Sequence, residues 1–243
     1  MLLFSILTIL LKYRYYFTAM SQYEVEIKSL LGTRDKADTL IQNLARAGFV
    51  IDSPKRSTQL NHYFTYSDLE MFLETTLPYV PEEKKDLFVK TIKEGSNFSI
   101  RTRQSNDKVL LVVKASLGDD SSSNGVARME FEIEMPMTLV ELDQILLDSG
   151  LQYQAKWSRQ REEYEGEGIT VCLDKNAGYG YLAEFEKVVD DQALVQETKE
   201  SLLSFMERMG TEELPQGRLE RMFAHYNTHW PEYYGTDNTF TVE

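Results

Sequence analysis

Like-charged side chains recur two positions apart in several short segments of the sequence. They form the pairs Glu24/Glu26, Arg101/Arg103, Glu130/Glu132, Arg159/Arg161 and Glu184/Glu186. Residues at this spacing in a strand lie on one face, where like charges repel unless ions of opposite charge lie between them. Gathered carboxylates suit Mg²⁺ or Mn²⁺, which prefer oxygen ligands. Gathered arginines suit a polyanion, because a guanidinium group binds phosphate through paired hydrogen bonds.

The segments that carry these pairs alternate between charged and apolar residues, which predicts β-strands. The predicted strands are YEVEIK, QLNHYF, NFSIRTR, KVLLVVKA, ARMEFEIEM, AKWSRQREEYE, ITVCLDK and YLAEFEKVV. Amphipathic helices separate some of them, and Pro78 and Pro81 divide the helical insertion at residues 67–95 into two. A last helix is expected from Gly217 to Tyr226, followed by coil. This order indicates an α+β protein with a large antiparallel sheet or barrel.

Two interpretations of the charged strand faces compete. In the first, the charges face water over the core of a sandwich, where exposed ion pairs contribute little. In the second, amphipathic helices cover the apolar face from outside, and the charges line the interior of a barrel. The charges are almost all Arg and Glu, where a solvated face would also mix in Thr, Ser, Gln and Asn. We therefore favour a barrel with a polar interior, wrapped by helices, that binds a metal-complexed polyphosphate.

Composition excludes several other classes of protein. The net charge of −13 argues against binding nucleic acid through a broad basic surface. Cys172 is the single cysteine, which excludes an intrachain disulfide and a cysteine-based zinc site and fits the reducing cytoplasm. The apolar run from Met1 to Leu11 is too short to span a membrane, and its basic residues follow it, unlike those of a secretory signal. We expect residues 1–19 to be an upstream extension, with a weak membrane-surface anchor as the alternative.

The motif EVEIK at residues 24–28 resembles the ExExK signature of the CYTH superfamily, the triphosphate tunnel metalloenzymes. SIRTR, the lysine of LLVVKA, RMEFEIE, RQREEY and LDKNAGYGYLAEFE follow in the family's order. The resemblance extends from Tyr23 to Gly210 and implies an eight-stranded antiparallel tunnel. We accordingly expect a tunnel domain over residues 20–210 and a C-terminal helix and tail over residues 211–243. The insertion at 67–95 departs from the family pattern and is interpreted as a lid or an altered entrance.

The resemblance also implies roles for individual residues. Lys28, Glu24 and Glu26 are assigned as catalytic. The expected phosphate-binding residues are Arg101, Arg103, Lys114, Arg128, Arg159 and Arg161. The expected metal ligands are Glu24, Glu26, Glu130, Glu132, Asp174, Glu184 and Glu186. The implied ligands are Mg²⁺ or Mn²⁺ and a small-molecule triphosphate, with no nucleic acid and no membrane span, and a homodimer is left open.

The tunnel chemistry is compatible with more than one reaction, because phosphoryl transfer depends mainly on in-line positioning and charge neutralisation. We expect a metal-dependent phosphohydrolase, in which water attacks the terminal phosphorus of an inorganic or organic triphosphate. The close alternative is an adenylate cyclase, in which the ribose 3′-hydroxyl of ATP attacks and pyrophosphate leaves. A polyphosphate-binding module without turnover is less favoured, because a pure anion binder has no use for acidic pairs.

Three other features of the sequence are given structural interpretations. GYGYLA at residues 178–183 has the spacing of a dinucleotide-binding loop, but a predicted strand follows it, so we expect a hairpin turn. A catalytic thiol needs a nearby base, and His62 is the only histidine in the predicted core strands. We therefore expect Cys172 to fill space in the core. His225 and His229 have helical i, i+4 spacing but too few partners for zinc.

Overall fold

The computed structural model describes residues 23–116 and 128–242, so the predicted extension at residues 1–19 and the polar loop LGDDSSSNG lie outside the described residues. The strands within these ranges are β1 (Tyr23–Gly32), β2 (Lys55–Thr65), β3 (Ser96–Ser105), β4 (Lys108–Ser116), β5 (Arg128–Glu134), β6 (Gln152–Gly166), β7 (Ile169–Asn176) and β8 (Gly180–Val189). The α-helices are α1 (Arg34–Arg46), α2 (Leu69–Thr76), α3 (Glu82–Glu94), α4 (Leu139–Asp148), α5 (Val195–Arg208) and α6 (Gln216–Tyr233). None of these helices combines the length and apolar character needed to cross a membrane.

All eight strands form one antiparallel sheet in the order β1-β8-β7-β6-β2-β3-β4-β5, which confirms the predicted α+β class. β1 and β5 are its edges, and no backbone ladder joins them within the described residues. The sheet is nevertheless curled, because Cα atoms of β1 and β5 approach within 8 Å. Lys114 Nζ of β4 also lies 3.4 Å from Glu24 Oε2 of β1. Side chains therefore connect the two margins of the curled sheet.

One face of the sheet is apolar and is covered by helices. Val25 and Ile27 of β1 are buried in a cluster that includes Leu40 and Leu44 of α1 and Phe205 of α5. A second apolar cluster joins α2, α3 and α4 to the β3–β4–β5 part of the sheet. Full burial of one such side chain contributes about 1.5–3 kcal/mol, so the helices bind this face strongly. Because strand side chains alternate, the charged residues of β1 point to the opposite face, away from α1 and α5.

The insertion at residues 67–95 folds into two short helices, as its prolines predict. α2 continues into a 3₁₀ turn that contains Pro78, and α3 begins directly after Pro81. Phe72 of α2 and Phe88 of α3 are fully buried, with ring centroids 5.7 Å apart. Phe88 also lies 4.8 Å from Phe131 of β5, measured between ring centroids. The insertion therefore packs on the apolar face of the sheet, not on the charged face.

The C-terminal segment differs from the prediction, because α6 continues past Tyr226 and includes Pro231 where coil was expected. Aromatic packing supports the longer helix: the ring centroid of Tyr233 in its last turn lies 5.8 Å from that of Tyr226 and 5.2 Å from that of Phe240. Tyr226 in turn stacks on Trp157 of β6 with ring centroids 3.6 Å apart. Trp157, Leu30 and Leu182 belong to one apolar cluster with α6. In the alternation along their strands, these three residues point to the same face of the sheet as the charged side chains. Helix α6 therefore covers one end of the charged face.

The GYGYLA segment forms the turn between β7 and β8, as predicted, and leads into a strand instead of a helix. Gly180 has a φ of 71°, in the left-handed region that favours glycine. A Cβ atom at this position would lie 2.3 Å from the carbonyl oxygen of Gly32. The glycine thus permits the close approach of the chain to the end of β1.

Candidate active site

Strand register brings the predicted site residues together on one face of the sheet. Directly opposed residues of an antiparallel pair lie on the same face. Glu26 and Lys28 of β1 oppose Glu186 and Glu184 of β8. Further opposed pairs continue across the sheet: Arg161/Asp174, Arg159/Gln59, Asn61/Arg103, Tyr63/Arg101 and Lys114/Glu130. This charged face combines carboxylates at the β1–β8 pair with guanidinium groups on the strands that flank β2.

Three carboxylates form a cluster at the β1–β8 pair. Oxygen atoms of Glu26, Glu184 and Glu186 all lie within 4.8 Å of one another, close enough to bind one cation. Burial opposes ionisation of Glu184, but Arg161 and Lys28 outweigh it and hold its pKa well below the usual value. Burial and the charge of Glu184 raise the pKa of Glu186 to about 7, since its nearest cation, Arg161 Nη1, is 3.9 Å away. A divalent cation would relieve this excess of negative charge.

The other four predicted metal ligands lie outside this close cluster, and each lies beside a basic residue, as Glu26 and Glu184 also do. The pairs are Glu24 with Lys114 (3.4 Å), Glu130 with Lys114 (3.1 Å), Glu132 with Arg103 (3.3 Å) and Asp174 with Arg161 (2.7 Å). Asp174 is fully buried and also accepts a hydrogen bond of 2.7 Å from Arg159. These four carboxylates are therefore ion-paired outside the close cluster, with Glu24 and Glu130 sharing Lys114. Within the described ranges the close cluster consists of Glu26, Glu184 and Glu186.

An arginine cluster occupies the strands on either side of β2. Burial, together with repulsion from Arg101 and Arg159, lowers the pKa of Arg103 to about 10. Burial would raise the pKa of Tyr63, but the charges of Arg101, Arg159 and Arg103 lower it to about 8. Arg101 Nε is buried and has no hydrogen-bond partner among the residues that the structure describes. An excess of positive charge with an unused donor suits a polyanion.

Two more predicted residues lie at the ends of these clusters. Lys28 is ion-paired with Glu26 and lies 3.4 Å from Glu184, so it borders the carboxylate cluster. Arg128 opposes Ser116 at the start of β5, and its side chain lies outside the described part of the chain. Lys28 therefore belongs to the acidic part of the charged face, between Glu26 and Glu184.

Sequence reasoning did not identify β2 as part of the site. Gln59, Asn61 and Tyr63 lie on the charged face, and each accepts a hydrogen bond from an arginine of a neighbouring strand. The alternation in QLNHYF indicates that these three residues share a face. They are uncharged, however, and a search for charged pairs does not detect them.

His62, on the opposite face of β2, belongs to a separate buried network. Its ring nitrogens lie 2.6 Å from Asp143 Oδ2 and 2.7 Å from the hydroxyl of Tyr234. Thr102 and Tyr153 donate hydrogen bonds of 2.6 and 2.7 Å to the same carboxylate. The network fastens α4 and the C-terminal segment to the apolar side of the sheet, so His62 is not part of the charged face.

Neither Cys172 nor the histidine pair of α6 adds a reactive group to the site. Cys172 opposes Glu184, and burial raises the pKa of its thiol, which disfavours the nucleophilic thiolate. His225 and His229 stack with ring centroids 4.4 Å apart, and His229 Nδ1 lies 2.8 Å from the carbonyl oxygen of His225. The carboxylate cluster described above includes neither histidine.

Fold and site together define a class of protein: an α+β chain whose curled antiparallel sheet carries a carboxylate cluster and an arginine cluster on one face. The family model described as the CYTH domain matches residues 78–216. The chain therefore belongs to the CYTH domain family, as its motifs predict. The matched region begins after α2, so the EVEIK motif of β1 lies outside it.

Several solved structures share this fold at low sequence identity. PH1819 from Pyrococcus horikoshii OT3 is 22% identical with a TM-score of 0.55, over 82% of this chain and 99% of that protein. A conserved hypothetical protein from Pyrococcus furiosus is 19% identical with a TM-score of 0.53, over 79% and 93%. A candidate adenylate cyclase from Vibrio parahaemolyticus is 14% identical with a TM-score of 0.56, over 84% and 99%. No curated protein matches the chain. At these identities the likeness concerns the fold alone.

Proposed function

We propose that this chain is a metal-dependent triphosphatase that binds an inorganic or organic triphosphate on the charged face of its sheet. The observation that carries the proposal is the presence on one face of two oppositely charged clusters, each with excess charge. Carboxylate oxygens lie within 4.8 Å of one another at β1–β8, while the arginines beside β2 lower the pKa of Tyr63 to about 8. A metal–triphosphate complex supplies both missing charges together. Membership of the CYTH family supports the same ligand.

In this proposal the curled sheet acts as a closed tunnel, completed by side chains such as Lys114 and Glu24. The tunnel domain comprises residues 20–210, and the insertion at 67–95 forms part of its outer wall. Residues 211–243 contribute the helix that covers one end of the charged face. A cytoplasmic location fits the single buried cysteine.

The oxygen donors of Glu26, Glu184 and Glu186 fit Mg²⁺ or Mn²⁺ in chemistry and spacing. When bound, such an ion would neutralise phosphate oxygens and lower the pKa of a bound water. Glu24, on the same face of β1, is a further candidate ligand. Glu130, Glu132 and Asp174 are also retained as candidates, and, like Glu24, each would first have to exchange its basic partner.

The basic side chains perform the binding and charge compensation in the proposed reaction. Arg101, Arg103 and Arg159 hold the phosphate groups, and Lys114, Arg128, Arg161 and Lys28 extend this set towards the carboxylates. A water molecule in line with the bridging oxygen attacks the terminal phosphorus, and the bond from that phosphorus to the bridging oxygen breaks. The guanidinium groups compensate the charge that develops on the leaving oxygen, which is the main catalytic contribution expected of a protein in phosphoryl transfer.

The proposal is tested by incubating the protein with tripolyphosphate, thiamine triphosphate and ATP, each with Mg²⁺ or Mn²⁺. Products are measured as orthophosphate and by chromatography of the nucleotide. We expect orthophosphate from the parent and a loss of at least about a hundredfold in the double variant Glu26→Gln, Glu186→Gln. Glu134→Gln is the matched control, because Glu134 forms an exposed pair with Lys108 on the same sheet.

Other products would redirect the proposal. Cyclic AMP with pyrophosphate would assign the cyclase reaction instead. Metal-dependent binding of tripolyphosphate without any product would indicate a binding module. Absence of both binding and turnover would refute the triphosphate site altogether and return the charged face to a structural role.

A further inference from the structure

β2 is the central strand of the arginine cluster, and the three β2 residues opposite these arginines, Gln59, Asn61 and Tyr63, are all uncharged. Gln59 opposes Arg159 of β6, while Asn61 opposes Arg103 and Tyr63 opposes Arg101 of β3. Each of these three residues accepts a hydrogen bond from its opposed arginine: Arg159 Nε to Gln59 Oε1 (2.8 Å), Arg103 Nε to Asn61 Oδ1 (2.9 Å) and Arg101 Nη1 to Tyr63 Oη (2.7 Å). One strand thus contacts three arginines from both sides.

The two amides hold their arginines through Nε, which orients the guanidinium plane. Gln59 and Asn61 are 5% and 3% exposed, so water cannot readily replace them as acceptors. Gln59 Nε2 also donates to Ser57 Oγ at 3.0 Å, an arrangement that directs the amide oxygen of Gln59 towards Arg159. The amides leave the Nη groups to other partners, and Nη1 of Arg159 donates to Asp174 while Nη1 of Arg103 donates to Glu132.

A neutral acceptor differs from a carboxylate in what it does to charge. Arg161 provides the internal comparison, because its Nε donates to the carboxylate of Asp174 at 2.8 Å. That contact orients Arg161 but also neutralises it. An amide oxygen orients a guanidinium group just as well and leaves its full positive charge available to a ligand. The amides therefore add no negative charge beside β2, where the carboxylate contacts are those of Glu132 with Arg103 Nη1 and of Asp174 and Glu184 with Arg159 Nη1.

We infer that Gln59 and Asn61 are positioning residues, which orient Arg159 and Arg103 for polyphosphate binding without neutralising them. The inference rests on the proposed function, since it requires a polyphosphate ligand on the charged face. It assigns β2 a role in polyphosphate affinity that neither the charge of these residues nor a sequence motif in this strand indicates.

The test uses near-isosteric substitutions that change charge but preserve the acceptor, Gln59→Glu and Asn61→Asp. The control is Gln160→Glu, which adds the same charge at an exposed position on the other face of β6. Tripolyphosphate binding is measured by calorimetry on the full chain, with thermal melting of each variant and with KM and kcat wherever turnover is observed. We expect each isosteric variant to bind at least about tenfold more weakly and to raise KM much more than it lowers kcat. Melting temperatures should be retained, because each new carboxylate faces an arginine.

A second pair of variants, Gln59→Met and Asn61→Leu, removes the acceptor without adding charge. We expect weaker tripolyphosphate binding here too, because the guanidinium planes lose their orientation. The positioning role is refuted if the parent binds tripolyphosphate and all four variants bind it with the same affinity as the parent and the Gln160→Glu control. The proposed function stands in that case. If the parent itself does not bind tripolyphosphate, the proposed function fails and the positioning role fails with it.

Discussion

Glu186→Gln is expected to stabilise the metal-free protein while abolishing its metal binding. The carboxylate of Glu186 lies beside that of Glu184 and is buried, and together these effects raise its pKa to about 7. A glutamine of similar size removes the unfavourable charge and retains an oxygen atom. The same substitution removes one of the three clustered oxygen ligands and weakens the attraction for a cation.

The magnitude follows from the difference between the raised pKa of about 7 and the ordinary value of 4.5. At about 1.36 kcal/mol per pKa unit, ionised Glu186 destabilises the fold by about 3 kcal/mol. The side chain is only 16% exposed, so solvent screening removes little of this cost. Between pH 4.5 and about 7 the folded chain retains a proton that the unfolded chain releases. Stability therefore falls as pH rises through this window, and the full deficit is present above it.

The assay is urea unfolding of parent and Glu186→Gln in the presence of a chelator, at several pH values from about 5 to 8.5. We expect the variant to be more stable by about 3 kcal/mol at the alkaline end and by less than about 1 kcal/mol at pH 5. Glu134→Gln, which removes an exposed carboxylate from the same sheet, should show no such pH-dependent gain. Adding Mg²⁺ should stabilise the parent but not Glu186→Gln.

A variant that is less stable than the parent at pH 8.5, or a gain that does not change with pH, would refute this reasoning. In either case Glu186 would be adequately compensated by Arg161, and the carboxylate cluster would need no cation. Stabilisation of Glu186→Gln by Mg²⁺ to the same extent as the parent would place the metal elsewhere.

Three further predictions concern other parts of the molecule. Tripolyphosphate affinity should fall as pH rises through about 8, because ionised Tyr63 then neutralises Arg101, and calorimetry should show that Tyr63→Phe lacks this fall. Asp143→Asn should lower the free energy of unfolding in urea by about 2 kcal/mol, since three donors share that carboxylate. Its effect should shrink as pH falls through the acid range, because the lowered pKa of Asp143 stabilises the fold only while the carboxylate is ionised. Gly180→Ala should cost about 2–3 kcal/mol, because its Cβ would meet the carbonyl oxygen of Gly32 at 2.3 Å. At Gly235 φ is also positive, but no atom of the described residues lies within 4 Å of an added Cβ. An equal loss of stability in Gly235→Ala would therefore contradict the steric explanation.

The strands, the helices and the face of each strand that carries its charged side chains could be predicted from the local sequence pattern. Alternation along β1 places Glu24, Glu26 and Lys28 on one face whatever the rest of the chain does, because the period of a strand is a property of its backbone. Pro78 and Pro81 divide the insertion for an equally local reason, since proline lacks the amide donor that a helix interior requires. The length of α6 was not predictable in this way, because its last turns depend on aromatic contacts with β6 and the β7–β8 turn.

Only the tertiary structure decided which charges meet. Glu26 and Glu186 lie far apart in the sequence and become neighbours through the β1–β8 register. The curl of the sheet likewise brings Lys114 to Glu24 across two edges between which the described residues form no backbone ladder. The sequence by itself determined that charged faces exist and which residues belong to them, because side-chain alternation is local. Register and curvature depend on packing of the whole chain, and they alone sorted those charges into a carboxylate cluster and an arginine cluster, with the neutral residues Gln59, Asn61 and Tyr63 of β2 between the arginines.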